Sequence, residues 1–475
     1  MMQANEQNGR QATLSRTLTL VPATALIVTN VVGTGIFTKT RVMTCNVGSP
    51  LMVMLAFASA GLLTLAGALT FAELGAMLPR SGGHYNYIQA AFGRLWAFLF
   101  GWMETLLDGA ASVAAIAMVF AMFLNDLTGD TLSPSLVLIV TLLTIGATTL
   151  LASASMHANG LVVATVTVMK VLLVLGIGLA AFFATGGAFA HFSGATTGAA
   201  CADVPDNARF GLAGFGAAMV GALWAYNGWA DLSFVAEEVR RPGVTLPRAI
   251  IGASLLVIAL YLIVNLGYFY ALGPERIAAL PVSSSVAGAL LSRLLGAGGA
   301  SFLIIAMMIS TAGALHSTSL SIARIPFGMA RDGLLPAWLA AVSPRSNVPV
   351  HATLFVGACA CLFALSGTFD ALTDIIVFVL LFFNALGVAS VYVLRRTLPD
   401  IDRPYRVPGY PLVPAAFLVV SAGLMLSTLM TAPARAFAGI ALVAAGVPIF
   451  LYFSRHNAVA AGAADDGSEE GDTSV

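Results

Sequence analysis

Val28-Thr29-Asn30-Val31-Val32-Gly33-Thr34-Gly35-Ile36-Phe37 lies inside an apolar run long enough to cross a membrane. A glycine in a helix interior costs about 1 kcal/mol relative to alanine, and here two glycines stand two residues apart. Helix-packing motifs set small residues four apart, on one face. Gly33 and Gly35 point to different faces, so packing explains them poorly. A dinucleotide fingerprint fails too, because no strand precedes the glycines and its third glycine is missing. The functional reading is an unwound stretch. Its bare backbone N–H groups, with the positive end of the half-helix that follows, would bind an anion.

A similar defect interrupts a later apolar run, at Leu223-Trp224-Ala225-Tyr226-Asn227-Gly228-Trp229-Ala230-Asp231. Asn-Gly is a turn signal. Behind it come Glu237-Glu238, Arg240-Arg241-Pro242 and Leu246-Pro247-Arg248, a charged exit from the membrane. Unwound carbonyls at this second break would accept hydrogen bonds from an ammonium group.

The rest of the chain sets the context. Hydrophobic residues make up 59% of 475 positions and charged residues 9%, against about 25% charged in soluble domains. A spanning helix needs about 20 mostly apolar residues. By that measure the candidate spans, numbered 1 to 12, are 18–38, 51–78, 95–124, 136–154, 161–184, 210–235, 250–272, 300–329, 351–365, 371–394, 412–430 and 436–453. The two breaks fall in spans 1 and 6. Breaks five spans apart point to inverted repeats that meet at a site at mid-depth. The N-terminus lacks a signal-peptide pattern, and the tail from Ala461 to Val475 is small, acidic and expected to be disordered.

Basic residues orient the spans. One set of connections holds Arg10, Arg16, Arg80, Arg94, Arg240, Arg241, Arg248, Arg324, Arg331, Arg345, Arg395, Arg396, Arg403, Arg406 and Arg455. The other holds Lys39, Arg41, Arg209, Arg276, Arg293 and Arg435. The positive-inside rule therefore puts both termini in the cytoplasm. A formal net charge of zero gives no pointer to nucleic acid. Four cysteines are too few for a disulfide framework, and their spacing suggests no metal site. No cofactor motif and no nucleophile–base pair of an enzyme is recognisable. Cys45 and Cys201 both fall on the outer side, where pairing is open; Cys359 and Cys361 fall in span 9.

Ionisable residues inside spans are functional candidates by default. Lys170 lies in the middle of span 5, where a charge costs about 2.5–3.5 kcal/mol on insertion scales. Glu104 and Asp108 on span 3 are four apart and project together.

Several motifs in order resemble the amino acid–polyamine–organocation superfamily, closest to its L-type amino acid transporter branch and bacterial relatives. They are Gly33-Thr34-Gly35-Ile36-Phe37, Ala72-Glu73-Leu74-Gly75 running to Pro79-Arg80-Ser81-Gly82-Gly83-His84-Tyr85, and Trp224-Ala225-Tyr226-Asn227-Gly228-Trp229 with Glu237-Glu238. Arg324-Ile325-Pro326, Ala330-Arg331-Asp332-Gly333-Leu334-Leu335-Pro336 and Arg403-Pro404-Tyr405-Arg406-Val407-Pro408-Gly409-Tyr410-Pro411 follow.

The resemblance implies an all-α membrane protein with a five-plus-five inverted-repeat core and broken helices 1 and 6. On that reading 1–17 is a cytoplasmic segment, 18–394 the ten-helix transport core, 395–454 two additional helices with the preceding loop, and 455–475 the tail. The substrate would lie between helices 1, 3, 6, 8 and 10. Its α-carboxylate would meet the amides around Gly33, Thr34, Gly35 and Ile36, and its α-ammonium the carbonyls near Val31, Trp224 and Asn227. Trp224 would act as a lid, and Trp229 matches another aromatic near the site. Asp108 and Ser112 fall beside the side-chain pocket, where relatives often have an apolar residue in place of Asp108. An acid there would select a cationic or hydroxyl-bearing side chain.

Lys170 matches a position where a lysine amine occupies the second sodium site of related sodium-coupled carriers, with carbonyls of helix 1 and the helix 8 hydroxyls of Ser310 and Thr311 as expected neighbours. It is either a fixed cation or a proton carrier. Glu73, at the inner end of helix 2, matches a carboxylate of a cytoplasmic gate, where an arginine would be its partner. The loop Asn125 to Ser133 lacks the cysteine that tethers a heavy subunit in animal L-type members, so no disulfide-linked subunit is expected. The implied function is sodium-independent amino acid transport by alternating access, as exchanger or proton symporter, in a bacterial inner membrane. A polyamine or amine carrier and a non-transporting nutrient sensor stay open as alternatives.

Overall fold

The computed structural model describes residues 14–129, 131–196, 201, 203–281, 285–366, 369–431 and 433–454, without the side chains of 297, 300, 369–377, 431 and 435. The acidic tail and residues 1–13 of the N-terminal segment lie outside that description.

Helix starts follow local chemistry. Ser49, Ser133 and Ser155 each accept a backbone N–H three residues on, from Met52, Leu136 and Ala158. Pro50 and Pro134 then open their helices at a position where the missing N–H is harmless. Span 2 is Pro50–Met77, span 3 Arg94–Leu127, span 4 Pro134–Ala152, span 5 Met156–Phe183 and span 7 Pro242–Leu272. Span 8 is Ser301–Arg331, span 11 Leu412–Met430 and span 12 Ala436–Ser454. Span 10 lies in the helix Phe369–Thr397. Val350–Ser366 is a shorter apolar helix at span 9.

The two expected breaks are real, with revised limits. Span 1 is two helices, Leu20–Val31 and Gly35–Val47, bent by 42°. Its second half runs well past the expected end at Thr38 and stops at Gly48, which takes the left-handed conformation. Span 6 is the helix Gly211–Ala225, a turn, and a short 3-10 helix Asp231–Glu238.

The exposed surface is apolar as well as the core. Long apolar side chains such as Leu143, Leu161, Leu172 and Val419 are exposed on the outer faces of spans 4, 5 and 11. Thr29, Thr40, Lys170 and Asn265 are buried among the helices. Lipid satisfies the first set, whereas the second must find partners inside the bundle. Thr29 shares a hydrogen bond with Thr167 (2.6 Å), and Thr40 donates to Asn265 (2.6 Å).

The packing carries the signature of two five-span units. Span 1 packs on span 7 and span 6 on span 2; span 4 packs on span 8 and span 9 on span 3. Adding or subtracting five turns each pair into the other. Spans 2 and 7, 3 and 8, and 4 and 9 pack as self-related pairs. Alternating passes make span 6 antiparallel to span 1, so the two breaks meet head to tail. Span 11 lies against spans 2, 6 and 10, and span 12 against spans 3 and 10.

Two faces close differently. On the face carrying the N-terminal segment, Leu18 forms a parallel bridge with Val239, through Leu18 N–H to Glu238 O (2.9 Å) and Arg240 N–H to Leu18 O (2.8 Å). On the opposite face, Cys45 at the end of span 1 is disulfide-bonded to Cys201 in the connection to span 6. Arg41 pairs with Asp203 (2.6 Å) beside it, and Arg209 donates to the Cys201 carbonyl. The pairing question left open by the sequence is thereby answered.

Candidate functional site

The breaks touch at Gly228. Its φ is +98°, and a Cβ there would lie 3.0 Å from Asn30 Cβ. Only glycine fits this combination of left-handed backbone and close approach. Across the same contact Asn30 Nδ2 donates to Asp231 Oδ2 (2.6 Å). From span 7, the Tyr261 hydroxyl bonds the carbonyls of Val31 (2.8 Å) and Ala225 (2.9 Å). One hydroxyl thus ties together the ends of both half-helices.

Beside this junction lies a cavity of about 400 Å³, lined from spans 1, 3, 6, 8 and 10. Val31, Gly33, Thr34, Gly35, Asp108, Ser112, Trp224, Asn227 and Thr311 all line it. Gly33 opens to it, since a Cβ there would meet nothing within 4 Å. The amides of Thr34, Gly35 and Ile36 have no hydrogen-bond partner among the described residues. They form the first turn of Gly35–Val47, where orphan N–H groups and the helix dipole favour an anion. Ile36 is not among the residues lining the cavity, and its side chain is buried in the core.

Span 3 passes the cavity as a π-helix, Met103–Ala110. Such segments are rare and frequent at functional sites. This one turns Glu104 and Asp108 to the cavity, and Ser112 Oγ donates to Asp108 (3.3 Å).

Four of the expected groups stand as follows. Trp229 does not line the cavity. Behind the Gly228 turn it faces away, edge-on to Phe71 (5.1 Å) and near Phe417 (6.4 Å), beside a side pocket of about 60 Å³ shared with Trp224 and Asn227. The carbonyls expected to meet an ammonium are partly used. Val31 O also accepts the Gly33 N–H (2.8 Å), and Trp224 O accepts the Asn227 N–H (3.1 Å), because broken helix ends satisfy themselves with tight turns.

Lys170 Nζ donates to the carbonyls of Thr29 (2.8 Å) and Val32 (3.0 Å) at the end of the first half-helix. Of its other expected neighbours, Thr311 bonds the carbonyls of Met307 and Met308 in its own helix. Ser310 is buried and off the cavity lining. Glu73 sits away from the cavity. It pairs with Arg395 (2.6 Å) and Arg403 (3.7 Å), and accepts the Val407 N–H (2.7 Å), fastening span 2 to the connection before span 11.

The sealed face is held by other acids. Glu238 and Arg324 form a completely buried ion pair (2.8 Å) between spans 6 and 8. Glu237 pairs with Arg331 (2.8 Å) and accepts the Ser81 N–H (3.2 Å). The cavity extends the other way, past Lys39, Val119 and Val220. Lys39 Nζ lies 4.5 Å from the centre of the Trp224 ring. Asn30, Lys39 and Asp231 were not singled out from the sequence. The available signal was an acid and an amide inside apolar runs.

Two antiparallel broken helices around a cavity at mid-depth are the architecture of a secondary transporter. Comparison with known proteins agrees. The family model for amino acid permeases matches residues 18–453, and the chain belongs to that family. It is 28% identical to the serine/threonine exchanger SteT of Bacillus subtilis, over 95% of this chain and 99% of the relative. It is also 28% identical to the human cystine/glutamate transporter, over 93% of this chain and 85% of the relative. The mouse large neutral amino acids transporter small subunit 2 is 29% identical over 93% and 82%.

Proposed function

We propose that this chain is a sodium-independent carrier of amino acids that works by alternating access, as an exchanger or a proton symporter. The observation that carries the reading is the set of unpartnered amides at Thr34, Gly35 and Ile36, in the half-helix start whose Thr34 and Gly35 line the cavity at the junction of the two breaks. An α-carboxylate satisfies these donors, and Trp224 stands beside it, its ring 3.2 Å from where a Gly35 Cβ would be.

The Lys170 ammonium supports sodium independence, because it fills with a fixed charge the kind of carbonyl-lined position that a monovalent cation takes. The face with the N-terminal segment is cytoplasmic in this reading. Its arginine content supports that side, as does the disulfide on the opposite face, since disulfides persist in oxidising compartments. The cavity then opens outward, with the cytoplasmic side sealed by Glu238–Arg324. The lipid bilayer of a bacterial inner membrane is its setting. The cysteine-free connection between spans 3 and 4 supports action without a disulfide-linked subunit.

The test is counterflow in proteoliposomes loaded with unlabelled amino acid. Accumulation of labelled amino acid is expected. Binding without flux would replace the carrier by a sensor.

A further inference from the structure

We propose that the sealed end of the cavity is a subsite for a cationic group of the substrate, with Asp231 and Glu104 as determinants beside Asp108. This rests on the carrier reading and extends it to a substrate class: amino acids with a positively charged side chain.

Three carboxylates line one cavity, Glu104 and Asp108 from span 3 and Asp231 from span 6. Glu104 and Asp108 are buried and Asp231 is half-buried. None forms a salt bridge with a basic side chain among the described residues. Asp231 takes a hydrogen bond from Asn30 and Asp108 one from Ser112, both neutral donors. Glu104 is 5% exposed, lines the cavity, and has no hydrogen-bond partner among the described residues.

Buried carboxylates without a counter-charge are costly in a membrane and mark ion or substrate paths. Two lysines are nearby, and Lys39 lines the same cavity. Lys170 points to the Thr29 and Val32 carbonyls, and Lys39 lies over Trp224 toward the open side. A cationic group from outside the chain would take the place that a proton otherwise fills at these acids.

Among the described residues no group of three His, Cys, Asp or Glu is placed to hold a metal ion, so the occupant proposed is an organic cation, a guanidinium or an alkylammonium. Asn30, which holds Asp231, precedes Thr34 by four residues across the break in span 1, so Asp231 and the Thr34 amide stand on the two sides of that break. A substrate whose α-carboxylate meets the Thr34–Ile36 amides can place a lysine- or arginine-like side chain among the acids.

The experiment is counterflow of labelled leucine by the full chain in proteoliposomes, with unlabelled arginine, lysine, ornithine, serine and putrescine as competitors. The cationic amino acids are expected to compete better than serine or unlabelled leucine. In Asp231→Asn the ratio of leucine to arginine inhibition constants is expected to fall about tenfold or more, the loss of one charge-assisted contact. Glu104→Gln, read the same way, serves if Asp231→Asn does not elute as a folded species. Better competition by neutral amino acids, or an unchanged ratio in both variants, overturns the subsite. Transport of no amino acid, with or without competition by putrescine, overturns instead the carrier reading beneath it.

Discussion

At the level of single residues, the site is a matter of which polar atoms lack partners. Lys170 donates to two carbonyls that the helix break leaves open. Lys170→Met strips both of a donor, and an unsatisfied buried group costs about 1–3 kcal/mol. The variant is expected to melt at lower temperature and to lose most uptake, by thermal-shift and proteoliposome assays. Because the lysine already holds that position, replacing external sodium with choline is expected to leave wild-type uptake unchanged. A requirement for sodium would remove the proposed role of Lys170. Intramembrane charges were legible in the sequence as anomalies of composition. Their partners were not, since Asn30 and Asp231 are 201 residues apart and meet only when the breaks do.

At the level of elements, the two breaks make opposite demands on their glycines. Gly228 combines a left-handed backbone with contact to Asn30, whereas a Cβ at Gly33 meets nothing within 4 Å. Gly228→Ala is therefore expected to destabilise by about 1–3 kcal/mol, the usual cost of a strained backbone position. Gly33→Ala is expected to keep the melting temperature close to wild type while weakening substrate binding, because the new methyl enters the cavity. Equal melting temperatures for the two variants would contradict this account. The sequence pointed to both breaks but not to the side that Trp229 takes, because which side a residue faces after a turn depends on the turn's geometry. Here Gly228 sends Trp229 toward Phe71 and Phe417.

For the whole molecule, the asymmetry between the faces matters most. One is sealed by the buried Glu238–Arg324 pair, the other is stapled by Cys45–Cys201. Arg324→Met leaves Glu238 buried without its partner, which costs about 3–5 kcal/mol, while replacing both partners with apolar residues is often neutral. The double variant Arg324→Met with Glu238→Met is therefore expected to recover much of the melting temperature lost by the single one. A double variant as unstable as the single would show that the pair has no such coupling. Cys45→Ser removes a bridge across 156 residues, and the expected loss is about 2–4 kcal/mol. Reductant should lower the melting temperature of the wild type and leave that of Cys45→Ser unchanged.

The sequence by itself determined the membrane class, the twelve passes, the bias of arginine to one face and the two interruptions. Each is written in local composition or in residues a few positions apart, where apolar length, glycine spacing and turn signals act directly. Only the tertiary structure decided which acids share the cavity, that Glu73 fastens span 2 to Arg395 and Arg403, that Glu238 and Arg324 seal one face, and that Cys45 reaches Cys201. Those pairings join residues from distant spans. The energy of a buried charge is set by which neighbour packing brings to it, and no local stretch of the chain encodes that neighbour.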